Sequence, residues 1–246
     1  MAMLAIPERA AEEADGTEDQ VDAPCGRLEQ AFRRFIADAA FPCVGAKGAL
    51  AHEGIRIQTF GPLDGNGNDA LLLDRLEAFA AELVRSEQDT QPLRSFAALF
   101  EGPDGLDERG FESLLWAQLQ RLHVLDVRRG RRWADGVSDD PASPHFSMSL
   151  AGQAFFVIGL HPGASRRARR FAWPTMVFNP HRQFDRLRAD GRYGKMQAAI
   201  RRRDRTLQGS INPNLADFGQ ASEARQYSGR AVEAGWQCPL QVRKVT

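Results

Sequence analysis

The sequence predicts an α+β fold: a single domain with a partly antiparallel sheet of about five strands, packed by three or four helices. Three observations lead to this prediction. Apolar residues recur with helical spacing in some segments and form short β-branched or aromatic runs in others. Two of these runs are separated only by Ala151-Gly152, which suits a tight antiparallel hairpin. The chain has 246 residues, 43% of them hydrophobic, and shows no internal repeat.

The first half of the chain alternates between helix and strand patterns. Leu28, Phe32 and Ile36 fall on one helical face. Asn68 or Asp69 is placed to cap a second helix, and the segment FPCVGAKGAL is expected to be rich in turns. The predicted elements are a helix over 28–39, a strand over 55–60, a helix over 70–86, a strand over 93–100 and a helix over 109–126.

The second half contains the hairpin and a basic helix. Gly191 and Gly194 are expected to interrupt that helix, because glycine weakens a helix interior. Polar segments rich in turn residues are predicted to be mostly loop. The predicted elements are strands over 145–150, 153–160 and 174–178, a helix over 181–206, and loops over 128–144 and 208–230.

The formal net charge is zero, but the charges are unevenly distributed. Residues 1–24 carry seven acidic residues and one arginine, a net charge of −6. Because this segment has few large apolar residues, we expect residues 1–25 to form a disordered acidic tail before a domain over 26–246. No apolar run approaches the ~20 residues of a membrane span, and no signal-peptide pattern is present. A cytoplasmic location without membrane contact is therefore expected.

The three cysteines, Cys25, Cys43 and Cys238, form no CxxC pair, so neither a disulfide framework nor a zinc knuckle is predicted. Cys43 and Cys238 each lie beside a proline in an aromatic context. A cysteine thiolate can hold haem iron, so both are candidate ligands. The alternative for each is a small buried apolar residue.

The five histidines lack the spacing of a multi-histidine metal site. No HxxxH or HExxH motif occurs, so a mononuclear zinc or non-haem iron site is not predicted. Haem iron needs only one protein ligand, usually a histidine. His161 and His181 each follow a predicted strand, a position where loops carry function. The alternative is structural: a His161 bonded to a backbone carbonyl, or a half-exposed His181 near a helix start.

The segment GASRRARRF contains four arginines in five positions. Guanidinium groups bind carboxylates bidentately, so two of them could hold haem propionates, or else a phosphate. Arg166 and Arg170 are four residues apart and would share a face if this segment were helical. The alternative is a solvated basic surface.

The whole region 161–205 carries thirteen Lys or Arg against three Asp, a net charge of +10. Aromatic residues are interleaved with these cations, so a nucleic-acid-binding module is an alternative function. The absence of a groove-reading helix or an RNA-binding motif argues against it. Among the acids, Asp217 and Glu223 lie in predicted loops, where either could be a surface carboxylate or could bind a cationic guanidinium.

Several long blocks together resemble the YqcI/YcgG family, over roughly residues 30 to 240. They resemble in particular its branch of haem-dependent guanidino N-hydroxylases, which includes enzymes of D-cycloserine and guanitoxin biosynthesis. The blocks are FPCVGAKGAL, WAQLQRLHVLD, FSMSLAGQAFFVIGLHPGASRRARRF, TMVFNPHRQFDRLR, RDRTLQGSINPNLADFGQASEARQYSGR and WQCP.

The resemblance implies haem b, molecular oxygen, an external electron donor and N-hydroxylation of L-arginine or a related guanidine. It implies a histidine as the iron ligand, which we assign to His161 with His181 as the alternative. Arg166 and Arg170 are then expected to hold the propionates, and Glu223 or Asp217 the guanidinium. A haem carrier or sensor without turnover would share this haem site and differ only in forming no product.

Overall fold

The computed structural model describes residues 24–85 and 92–244, so nearly all of the predicted acidic tail (1–25) lies outside the described residues. Five strands form one sheet: β1 (Ile55–Phe60), β2 (Ser95–Phe100), β3 (Met148–Leu150), β4 (Gln153–Leu160) and β5 (Thr175–Pro180). Their order is β1-β2-β5-β4-β3. β1 and β2 are parallel and the remaining neighbours are antiparallel, so the predicted fold class and mixed sheet are confirmed.

The described part of the chain contains seven α-helices, several of them short. They are α1 (Pro24–Ala37), α2 (Val44–Ala51), α3 (Asp69–Arg85), α4 (Glu108–Arg128), α5 (His181–Ala189), α6 (Arg192–Gln208) and α7 (Ala224–Tyr227). Within these ranges, no helix combines the length and apolar character needed to cross a membrane.

The sheet has a packed core on each face, as the alternation along β2 shows. Phe96 and Phe100 belong to the larger core cluster, which also contains residues of α3 and α4. Ala97 and Leu99 point the other way, into a second cluster with residues of α1 and α2. Burial on both faces explains why the sequence of β2 is a continuous apolar run rather than an alternating one. The result is a helix–sheet–helix arrangement of three layers.

The hairpin between β3 and β4 turns at Ala151-Gly152, as predicted, with Leu150 opposite Gln153. Both turn residues have positive φ angles, 54° for Ala151 and 68° for Gly152. Glycine adopts this region freely, whereas an alanine there is strained. The backbone N–H of Ala151 donates to the Asp126 carboxylate at 3.0 Å, which ties the turn to α4.

Helix α4 lies directly against β4 at Gly159. A Cβ atom at this position would lie 2.5 Å from Cε1 of Phe111 and 2.8 Å from Cδ1 of Leu115. Both neighbours are fully buried and have no space to move away. Position 159 therefore requires glycine for the two elements to pack.

Two predictions about helices need correction. The segment 41–50 was expected to be turn-rich, but most of it forms α2, a helix of small residues capped by the Cys43 side chain. The basic helix is interrupted at Gly191, which has a φ of 68°, and not at Gly194, which lies inside α6. These additional short helices raise the number above the expected three or four.

Candidate functional site

A cavity of about 330 Å³ lies between the sheet and the helices α1, α2, α5 and α6, and its volume is within the roughly 300–1,000 Å³ typical of small-molecule sites. Its apolar walls come from α1, α2 and the sheet face that they cover, including Phe32, Ile158 and Val177. Its polar and charged walls come from α5, α6, the arginine segment after β4 and residues 212–226. The site is thus lined by both an apolar surface and a set of ionisable groups.

His181 lies in this cavity wall because β5 ends at Pro180 and α5 begins at once. The side chain is buried, with 5% exposure. Its Nδ1 lies 3.2 Å from Oδ2 of Asp185, one helical turn later. Its Nε2 is buried and has no hydrogen-bond partner among the residues that the structure describes. Burial lowers the pKa of His181, which favours the neutral imidazole that binds a metal.

His161 lies elsewhere, and the preference for it over His181 is not supported by the geometry. The residue is outside the cavity lining and only 1% exposed. Its ring stacks on Phe111 with centroids 4.4 Å apart and hydrogen-bonds the backbone of Leu106. Since Leu160 faces the cavity, the next residue points to the opposite side of the sheet. His161 therefore resembles the structural alternative, a core histidine bonded to the backbone. Its Nδ1 is also buried and without a partner among the described residues, so its position outside the cavity lining is what separates it from His181.

Glu223 is the carboxylate that the structure brings to the cavity. It is 5% exposed, and its Oε1 accepts hydrogen bonds from the Tyr227 hydroxyl at 2.6 Å and from Ser147 at 2.7 Å. Burial raises the pKa of Glu223 to about 7, although these two hydrogen bonds oppose the shift. We find no hydrogen bond to its Oε2 within the described ranges, so this oxygen is available to a ligand in the cavity.

Asp217, the other predicted carboxylate, does not line the cavity. It bonds Gln197 and Arg201, both on α6, with an Arg201 Nη2 to Oδ1 distance of 2.9 Å. Asp217 thereby fixes the loop after α6 to the helix itself. Glu223 and not Asp217 is placed to contact a bound guanidinium.

Arg166 and Arg170, expected to act as a pair, are separated by the structure. The segment between them forms a single 3₁₀ turn, Arg167–Arg169, so they do not share a helical face. Arg166 lines the cavity and pairs with Asp204 of α6. Arg170 lies outside the cavity lining and donates to the carbonyl of Ala164 at 2.8 Å.

Arg169, which was not singled out from the sequence, is a second, partly buried arginine at the cavity wall, beside the buried Arg166. Its guanidinium donates to the carbonyls of Gly159, Tyr227 and Gln226, at 3.0, 3.2 and 3.1 Å. Burial lowers its pKa to about 10, so it remains a cation at neutral pH.

Two further arginines of the cavity were also missed, Arg188 and Arg201. Arg188 pairs with Asp185 at 2.7 Å and lies over the ring of Tyr193, 4.7 Å from its centroid. The Nε of Arg201 is buried and finds no acceptor within 24–85 and 92–244. Helical spacing shows which residues share a face of α5 or α6, but not which face borders a cavity. The sequence therefore could not show that both arginines lie at the cavity.

The two candidate cysteine ligands differ in position. Cys43 lines the cavity, but its Sγ accepts the N–H of Ala46 and burial raises its pKa, which favours the thiol. Cys238 is outside the cavity lining, and burial raises its pKa to about 12. Neither environment stabilises the thiolate that would bind iron.

No group of three or more His, Cys, Asp or Glu suited to a metal ion occurs in the described residues. Haem requires a different donor set: one axial ligand, apolar walls for the macrocycle and cations for its carboxylates. The cavity offers His181 with an unpartnered Nε2, apolar residues from both sheet and helices, and guanidinium groups such as that of Arg201. The residues present therefore fit a haem.

Comparison with known proteins gives the family of the chain. The model of the YqcI/YcgG family matches residues 32–241, most of the sequence. An uncharacterized protein of Bacillus subtilis (strain 168), YqcI, is 26% identical over 217 residues, which cover 83% of this chain and 82% of that protein. No solved structure matches the chain. Because the family model covers nearly the whole domain that holds the cavity, the chain belongs to the YqcI/YcgG family.

Proposed function

We propose that the protein is a haem-dependent monooxygenase that N-hydroxylates a guanidino group, of L-arginine or a related guanidine, with O₂ and an external electron donor. The observation that carries the proposal is His181: a buried, neutral imidazole on the cavity wall, with Nε2 unpartnered among the described residues and Nδ1 bonded to a carboxylate. A carboxylate partner on the second ring nitrogen is the usual way to orient a metal-binding histidine.

His181 would hold the iron, and the apolar residues of α1, α2 and the sheet would surround the macrocycle. We assign the propionates to Arg201 and Arg166: the Nε of Arg201 has no acceptor among the described residues, and the guanidinium of Arg166, which pairs with Asp204, lies at the cavity wall. A bound haem supplies the activation of O₂ with two electrons from the donor. The remaining chemistry, binding and orienting the guanidine, belongs to the side chains of this chain.

Glu223 supports a guanidine as the substrate class. A carboxylate binds a guanidinium through two parallel hydrogen bonds, and burial strengthens such a pair. Tyr227 and Ser147 hold Oε1 in place, which orients the carboxylate before any ligand arrives. The largely apolar walls of the cavity would limit the water around the bound guanidine.

The experiment is an absorption spectrum of protein from haem-supplemented cells, ferric and then reduced under carbon monoxide. We expect a Soret band typical of histidine ligation, lost in His181→Ala and kept in His161→Ala. A spectrum unchanged in His181→Ala would overturn the ligand assignment, and a reduced CO band of the thiolate type would move it to Cys43. Incubation of the loaded protein with L-arginine, O₂ and a reductant then separates an enzyme, which forms hydroxyguanidine, from a carrier or sensor, which does not.

A further inference from the structure

We propose that Tyr227, Trp116 and Trp236 form a route along which an oxidising equivalent travels from the cavity wall to the protein surface, with Glu223 as the proton acceptor of Tyr227. This inference rests on the proposed function, since that function places an oxidant in the cavity. The route would give the protein a second activity, the removal of that oxidant when no substrate is bound. Binding of a guanidine does not require this activity.

The three rings form a continuous chain. The rings of Tyr227 and Trp116 are stacked, with centroids 5.6 Å apart and planes inclined by 22°. The ring of Trp116 lies 6.1 Å from that of Trp236, at 45°. Tyr227 is fully buried, Trp116 is 2% exposed and Trp236 is partly exposed. The chain of oxidisable rings therefore begins beside Glu223 at the cavity and ends at solvent.

The proton arrangement distinguishes this chain from ordinary core packing. Oxidation of a tyrosine requires its hydroxyl proton to leave, and burial raises the pKa of Tyr227 well above its usual value. The hydroxyl lies 2.6 Å from Oε1 of Glu223, within direct proton-transfer distance of a carboxylate whose pKa is about 7. The other acceptor in reach, the carbonyl of Phe155 at 3.2 Å, cannot take a proton.

Trp116 differs from Tyr227 because no group in the described part of the chain can accept the proton of its ring N–H. Its Nε1 is buried and has no hydrogen-bond partner in the described part of the chain. An oxidised Trp116 therefore retains its proton and remains a radical cation in an apolar setting, which makes it a transient relay. Tyr227, whose proton can move to Glu223, is the more stable position for the missing electron, and Trp236 is the position that solvent reductants reach.

The electron count is as follows. An oxidant formed from O₂ in the cavity accepts one electron from Tyr227, whose proton moves to Glu223, leaving a neutral tyrosyl radical. Trp116 then returns an electron to Tyr227 as the proton returns from Glu223, and Trp236 returns one to Trp116. A thiol reductant in solution finally donates one electron to Trp236, so that the oxidant is reduced and the chain is restored.

The test does not need haem. A ruthenium tris(bipyridine) dye with persulfate, under light, oxidises exposed side chains from solution. The chain has two tyrosines, so Tyr193→Phe leaves Tyr227 alone, and this residue is too buried for contact with the dye. We expect a tyrosyl radical in the electron paramagnetic resonance spectrum of the frozen Tyr193→Phe protein. Addition of Trp116→Phe, which keeps an aromatic ring but removes an oxidisable one, should abolish this signal.

Trp173→Phe, a partly exposed tryptophan that packs on Phe171 in the other core cluster, is the matched control and should leave the radical unchanged. Trp236→Phe, which removes the ring that solvent reaches, should weaken the signal. This second variant keeps the test decisive if Trp116→Phe folds poorly. A tyrosyl signal of equal size in all variants, or none in Tyr193→Phe, overturns the route.

The haem-loaded protein provides a separate test. With hydrogen peroxide and no guanidine, Tyr227→Phe made in the Tyr193→Phe protein should lose the tyrosyl radical and bleach its Soret band faster than Tyr193→Phe alone. Photochemical transfer without any Soret band would overturn the proposed function and leave the route standing. A Soret band with hydroxyguanidine formation but no photochemical transfer would support the proposed function and overturn the route.

Discussion

At the residue scale, the two ring nitrogens of His181 are in different surroundings: one bonds a carboxylate and the other has no partner in the described residues. Removal of such a carboxylate commonly lowers metal affinity by about 10–100-fold. We therefore expect Asp185→Asn to weaken haem binding by about this factor, measured by haem transfer to a competing apoprotein. Asp190→Asn, which removes an exposed carboxylate paired with Arg192, is the control and should have no effect.

Glu223 gives a stability prediction. Its pKa is raised from 4.5 to about 7 because burial disfavours the charged form. The proton therefore stabilises the fold at low pH, and this stabilisation is lost as the pH rises through about 7. Glu223→Gln, always neutral and able to accept both hydrogen bonds, should stabilise the ligand-free protein at pH 8 by on the order of 1–3 kcal/mol. Thermal unfolding at pH 5 should show little difference; an equal gain at both pH values contradicts the assignment.

The same carboxyl group predicts how guanidine binding depends on pH. Below about 7 Glu223 is largely protonated and cannot form an ion pair, and above it the carboxylate is available. The affinity of the haem-loaded protein for L-arginine should therefore rise with pH through this range, as measured by spectral titration. In Glu223→Gln the affinity should be low and no longer vary with pH, whereas Asp217→Asn should keep the parent profile.

The assignment of the histidine shows how far the sequence predicts the site. His161 and His181 have the same local pattern, a buried strand followed by a histidine next to a proline. Strand alternation distinguishes the two histidines. His181 lies on the same side of the sheet as Val177 and Asn179, which line the cavity. His161 directly follows Leu160, which lines the cavity, and therefore points to the other side. Using that rule requires knowledge of which face carries the cavity, and this depends on the packing of α1, α2 and α6, which no local pattern contains.

At the element scale, the β3–β4 hairpin contains one residue suited to its conformation and one that is not. Ala151 adopts a φ of 54°, a region that asparagine tolerates better than alanine. Ala151→Asn should therefore raise the free energy of unfolding by about 1 kcal/mol. Gly152→Ala, at a φ of 68° with no neighbouring atom in the way, should lower it by a similar amount. Chemical denaturation measures both, and two changes of the same sign would contradict the turn geometry.

Helix α6 is the least buried wall of the cavity. It has no fully buried residue, whereas α4, of comparable length, has several. Glycines with positive φ, Gly191 and Gly209, flank it. Amide hydrogens over 192–208 should therefore exchange faster than those over 108–128, and haem loading should slow exchange in α6 more than in α4. Mass-spectrometric hydrogen exchange tests this, and equal protection of both helices would contradict it.

Sequence patterns predicted best the elements whose first and last residues are set by the local sequence alone. β1 and β4 have the predicted bounds, since their apolar runs are bordered by turn residues. Helix α2 was missed because its short segment of small residues carries no amphipathic signal and its two glycines offset the helix propensity of its alanines. Its helical state depends on contacts with α1 and α6, which are tertiary.

At the scale of the whole molecule, the basic region 161–205 is largely engaged in internal contacts. Arg169 and Arg170 donate to backbone carbonyls, Arg166 and Arg201 pair with carboxylates, and Arg203 bonds the carbonyl of Ala39. These internal partners hold the guanidinium groups at the cavity wall or against the backbone, so they do not form an open basic groove along which a phosphate backbone could lie. We therefore expect no measurable binding of a generic single-stranded oligonucleotide at about 0.15 M salt, tested by fluorescence anisotropy. Tight, steeply salt-dependent binding would restore the nucleic-acid alternative.

Gly159 has a consequence for how the family diverges. The residues that line the cavity can change with the substrate, because a different side chain there alters only what is bound. At position 159 any side chain would occupy space already filled by Phe111 and Leu115, so a replacement would separate α4 from β4 and lose the core. We expect natural selection to retain this glycine in relatives that act on quite different substrates. A residue without any reactive group would then be among the most conserved positions of the domain.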